Sequence, residues 1–139
     1  MTKHGETLEL YSLTLARQLK FKYDLAEEWI DVFGGNMNMD NFVRSVLESF
    51  EEPLVWFMYE GNKLFGVPYA RDFFGPVRSW HHSRATEPGG PWSRLTGVIG
   101  CATEAHHFIQ DLNQSPFNVG RQIPSQPFNV YQIIDLNER

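Results

Sequence analysis

The stretch Leu54-Val55-Trp56-Phe57-Met58-Tyr59-Glu60-Gly61-Asn62-Lys63-Leu64-Phe65 decides how the rest of the chain is read. Its first five residues are apolar without a break and follow Pro53, which closes whatever helix precedes it. A short unbroken run of this kind predicts a central strand covered on both faces, as parallel sheets require. The run ends on one acid, Glu60.

Toward the amino terminus, Leu8, Tyr11, Leu15 and Leu19 recur at helical spacing and predict an amphipathic helix over Thr7 to Lys20. Asp24 followed by Glu27 has the form of a capping box and predicts a second helix through Leu25, Trp29, Ile30 and Phe33, ended by Gly34-Gly35. Asn38 or Asp40 then caps a third helix with the stripe Phe42, Val43, Val46, Leu47 and Phe50. Beyond the strand, Pro68 to His82 is helical in period, with Phe73, Phe74, Val77 and Trp80 apolar. Gly75-Pro76 interrupts it, so Pro76 is expected to open a helix running to Arg84. Glu87 to Pro91 is a loop by composition. Thr96 to Ala102 predicts a second strand, and Asn113 to Gly120 an ordered loop. A short strand near Gln122 to Pro124 is expected before a last helix. Asn129 and Gln132 cap that helix, and Val130, Ile133, Ile134 and Leu136 form its face. No internal repeat or long linker divides residues 1–139, so one domain is expected, an α/β fold with a small, mostly parallel sheet and flanking helices.

A net charge of −5 with scattered Lys and Arg speaks against nonspecific nucleic-acid binding, which needs clustered cations to neutralise phosphates. The densest group, Arg17, Lys20 and Lys22, falls near a predicted helix end, where cations complement the helix dipole. No apolar run approaches the roughly 20 residues of a membrane span, and the first residues lack the apolar core of a signal peptide. With a single cysteine, Cys101, these features predict a cytoplasmic chain that touches no membrane. Cys101 at the end of an apolar strand reads as an inert buried thiol rather than a nucleophile paired with His106. His81-His82 and His106-His107 are adjacent pairs, which point about 100° apart on a helix, so no metal site is expected.

Several segments together resemble the AAA-like ATPase domains of bacteria. Leu54 to Phe65 is similar to that family's Walker B strand, and Asp72-Phe73-Phe74-Gly75 with Arg78-Ser79-Trp80-His81 to its following helix. Val98 to Glu104 resembles its sensor strand. Asn113-Gln114-Ser115-Pro116-Phe117-Asn118-Val119-Gly120 is its signature loop, and Pro127-Phe128 with Gln132 its next helix start. The resemblance runs from about Leu8 onward and implies the middle of an ATPase domain, with the phosphate loop and its strand ahead of residue 1 and the lid beyond residue 139. Within the 139 residues no G-x-x-x-x-G-K-[ST] stands. Tyr59 occupies the position of the magnesium-ordering Asp, Gly61 that of a core Val, and Asn62 that of a second Asp. A degenerate Walker B and no cofactor are therefore expected, and no catalysis, since phosphoryl transfer depends on the phosphate cradle and magnesium.

In that frame Glu60 is an acid at a strand end, and Tyr59 is expected to pack into the space once held by nucleotide. The loop Asn113 to Gly120 reads as a rigid structural element. The resemblance also implies a sheet missing its central strand, whose neighbours must find new partners. Either the last strand pairs with the sensor strand, or a second subunit supplies the pairing. The leading expectation is a non-enzymatic protein–protein interaction module, a homodimer first, with an intact AAA-like ATPase as another partner. The alternative is a small-molecule site in the vacated cleft, lined by Trp56, Tyr59, Glu60, Phe74 and Trp80. Against it stands the simpler reading in which these aromatics form the core.

Overall fold

The structure is a computed structural model, and it describes residues 7–65, 67–102 and 120–138. Thr7 caps the first helix, α1 (Leu8–Tyr23), its hydroxyl accepting from the Leu10 N–H at 3.3 Å. Lys20 and Lys22 lie in the last turn, as the dipole favours. Asp24 then closes α1 rather than opening a helix. It adopts the left-handed conformation (φ 50°), and its N–H returns to the Lys20 carbonyl. The helix expected over 25–33 is a loop, ending in one 3-10 turn at Asp31–Phe33. Its apolar residues recur because the loop is pinned to the core: Leu25 is buried and Trp29 packs beside it. The Lys20 ammonium also holds this loop, binding the Glu27 carbonyl at 2.9 Å and pairing with Glu28.

The expected helix stop is a helix start. Gly34 (φ 69°) takes the sharp turn that leads into α2 (Gly34–Glu48), a torsion that side chains with Cβ resist. Next to it Gly35 lets α1 approach closely, since a Cβ there would lie 3.1 Å from Ser12 Oγ. Phe42, Val43, Val46 and Leu47 form the buried stripe as expected, joined by Met39. Asn38 is no cap. It sits inside α2, 1% exposed, where its Oδ1 accepts from the Ile30 N–H at 2.9 Å. Its Nδ2 donates to the carbonyls of Ile30 at 2.8 Å and Gly34 at 2.9 Å.

The strand β1 (Leu54–Met58) falls on the expected residues. A short α3 (Asn62–Phe65) and a long α4 (Ala70–Thr86) cross over to a 3-10 turn at Pro91–Arg94 and then β2 (Leu95–Ile99). β1 and β2 pair in parallel, with Leu54 opposite Leu95, Trp56 opposite Gly97 and Met58 opposite Ile99. The α/β class with parallel strands is as the sequence predicts. The second strand starts one residue early and ends at Ile99, although Gly100 still donates to the Met58 carbonyl at 2.9 Å. The third strand near Gln122 to Pro124 is not formed: residues 121–129 have no regular structure. The last helix, α5 (Val130–Asn137), carries the predicted capping box between Asn129 and Gln132.

Pro76 does not begin a helix; α4 runs through it. A proline there deprives the Asp72 carbonyl of its helical donor. Asn36 of α2 supplies one instead, Nδ2 to the Asp72 carbonyl at 3.0 Å.

The core has two parts. In one, Phe42, Val46 and Leu47 of α2 meet a column of stacked indoles, Trp56 on Trp80 at 5.6 Å and Trp80 on Trp92 at 5.5 Å. The column is tied at its edges by Trp80 Nε1 donating to Asp40 at 2.5 Å, and by the Arg44 guanidinium 5.4 Å from the Trp92 ring. In the other, Phe73 and Phe74 pack against Tyr11, Met58 and Ile99. Both parts lie on one side of the sheet. The side chains on the other side, Val55 and Phe57, are 61% and 57% exposed, so among the described residues β1 is covered on one face rather than two.

Candidate functional site

The tip of β1 is built by backbone geometry. Glu60 has a positive φ of 53°, which turns the chain out of the strand and into α3. Gly61 follows, and its N–H reaches the Gly100 carbonyl at 2.8 Å, drawing the ends of β1 and β2 together. A Cβ on Gly61 would lie 2.4 Å from Cγ2 of Ile99, so a valine at this position is incompatible with Ile99 as placed. Asn62 Oδ1 accepts from the Ala102 N–H at 3.2 Å, extending the same closure.

Glu60 faces Lys63, with Oε2 accepting from Nζ at 2.5 Å. The hydrogen bond and charge of Glu60 raise the Lys63 ammonium above its ordinary value. Burial pushes the Cys101 thiol up, a hydrogen bond with the Asn62 backbone opposing it in part. A raised thiol pKa suits a packing residue rather than a nucleophile. Tyr59 does not pack into a vacated space. It is 78% exposed, turned outward with its ring centroid 6.5 Å from that of Phe57.

The five residues expected to line a ligand cleft are dispersed. Trp56 and Trp80 stack in the indole column, Phe74 is fully buried in the second part of the core, and Tyr59 and Glu60 stand at the strand tip. His81 and His82 are exposed on α4. Among the described residues no group of three or more His, Cys, Asp or Glu is placed to hold a metal. The signature loop, Asn113, Gln114, Ser115, Pro116, Phe117 and Asn118, lies outside the described residues, as do His106 and His107.

What sequence reasoning missed is the open side of the sheet. Val55, Phe57 and Val98 are exposed there, and Tyr59 continues the row beyond β1. Beside β1 runs an apolar groove of about 310 Å³, walled by Leu15 and Leu19 of α1 and by Leu54 to Phe57, with Val43 and Val46 of α2 among its lining. Lys22 and Gln18 stand on its α1 wall. An unbroken apolar run gives no local signal that one of its faces is bare.

A family model described as an AAA-like domain matches residues 1–139, and the chain belongs to that family. No curated protein and no solved structure matches it. Among the described residues no helix is long and apolar enough to cross a membrane.

Proposed function

We propose that this AAA-like chain is a non-enzymatic protein–protein interaction module of the cytoplasm, self-associating through the open side of its sheet. The observation that carries this reading is the bare apolar row Val55, Phe57 and Val98 on a parallel sheet, a type found with both faces covered. Contiguous exposed apolar surface of this kind marks association sites. The strand tip supports the non-enzymatic part. Where the family's Walker B carries a magnesium-ordering acid, Tyr59 offers a phenol that hard cations do not favour. The remaining acid, Glu60, is held by Lys63. This strand is a degenerate Walker B whose value lies in its surface. The packing of Trp56, Phe74 and Trp80 into the core favours this reading over a small-molecule site lined by the same side chains.

Sedimentation velocity tests the proposal. The wild-type protein is expected as a dimer at micromolar concentration, and Val55→Lys/Phe57→Lys as a monomer with an unchanged circular dichroism spectrum. Both substituted side chains already face water, so the fold tolerates them. A wild-type monomer at every concentration, or a dimer indifferent to the pair, would overturn it.

A further inference from the structure

Resting on the reading that the open sheet face is an interaction surface, we infer that its occupant is the arm 120–138 of a second copy of this chain. Every residue from 120 to 138 is exposed. The arm is nevertheless ordered at its end, where α5 has a complete capping box. A helix of eight residues is marginal in water by itself, because nucleation fixes several torsions for few hydrogen bonds. Such a helix gains stability when its apolar face packs against another surface.

The apolar groups of the arm, Ile123, Phe128, Val130, Ile133, Ile134 and Leu136, are all solvent-facing. The bare sheet face offers Val55, Phe57, Tyr59 and Val98. The lengths agree: eight helical residues span about 12 Å, and a five-residue strand about 16 Å. Seated there, α5 gives the sheet the second helical layer that parallel strands require.

A second copy is the occupant because the arm stands exposed from its own body and the exchange closes on itself. Among the described residues each copy has one exposed arm and one bare sheet face, so a two-fold axis fills both. Each apolar side chain named brings on the order of 60–120 Å² of surface, and both halves of the exchange contribute. The total reaches the roughly 1,200 Å² at which stable interfaces begin.

The test uses the 139-residue chain with Cys101→Ser as background. One variant carries Val55→Cys and the other Ile134→Cys; they are mixed and treated with a short bismaleimide. The expected product is a mixed covalent dimer joining Val55→Cys of one copy to Ile134→Cys of the other. In parallel, Ile133→Asp/Ile134→Asp is expected to weaken the dimer at least tenfold in sedimentation velocity. Both positions are exposed, so loss of the dimer cannot be ascribed to a lost core. A dimer that survives Ile133→Asp/Ile134→Asp overturns the exchanged arm and leaves the self-association reading standing. A third variant carries both Val55→Cys and Ile134→Cys, and cross-linking confined to one chain of it overturns the exchange in favour of the copy's own arm. A wild-type monomer removes the self-association reading itself.

Discussion

Asn38 holds more of this fold than any acid at the strand tip. Its side chain satisfies the N–H and the carbonyl of Ile30 and the carbonyl of Gly34, and so fixes the 25–33 loop against α2. Asn38→Ala is expected to cost about 2–3 kcal/mol, because it leaves these groups without partners at a buried position. Asn38→Asp should be at least as damaging, since a carboxylate can only accept and would face two carbonyls. Tyr59→Ala is expected to stay within about 0.5 kcal/mol, as exposed side chains do, and Glu60→Gln likewise. Urea denaturation of these variants gives the ordering, and a larger loss for Tyr59→Ala than for Asn38→Ala would contradict the placement of both. Neither role was legible in the sequence. Asn is disfavoured inside helices and favoured at caps, so local rules assigned Asn38 to a helix start. Its real partner, Ile30, is reached only through the loop's tertiary path.

At the scale of elements, legibility followed the locality of the cause. β1 after Pro53, the α2 stripe, α1 after Thr7 and the Asn129 capping box depend on neighbours in sequence, and all were readable. The 25–33 loop was misread because Leu25 and Trp29 are spaced like a helix while serving as anchors for a loop. Pro76 was misread for a different reason: its helical neighbour at Asp72 is satisfied from another element. Proline inside a helix costs about 3 kcal/mol, part of it the unpaired carbonyl. Asn36 offsets that part by donating to Asp72 across the α2–α4 contact. Asn36→Ala is therefore expected to destabilise by about 1 kcal/mol, the usual net value of a partly solvated hydrogen bond. In a Pro76→Ala background the restored N–H takes over the carbonyl, and most of that loss should vanish. A double-mutant cycle measures the coupling. Strict additivity of Asn36→Ala and Pro76→Ala would show that the two elements are not linked through this bond.

At the scale of the whole molecule, the apolar run of β1 correctly predicted a parallel sheet and predicted more cover than the described residues give it. A strand buried by its own helices and a strand buried by a second molecule have the same sequence pattern. The nucleotide question sits at this scale too, because binding ATP–Mg²⁺ takes a phosphate cradle, a cation site and a favourable field acting together. The 139 residues contain no G-x-x-x-x-G-K-[ST] stretch and carry a net charge of −5, which opposes an anionic ligand. At the strand tip Tyr59 turns outward and Lys63 occupies the Glu60 carboxylate. This chain is expected to bind ATP–Mg²⁺ no tighter than millimolar. Titration calorimetry at high protein concentration and thermal denaturation check it independently. A ligand at 100 times its dissociation constant would add about 2.7 kcal/mol of stability, a shift of several degrees for a domain of this size. An unchanged midpoint in millimolar ATP–Mg²⁺ is the expected result. A low-micromolar dissociation constant would mean that these residues still assemble a phosphate site, and that the non-catalytic reading of the strand tip is wrong.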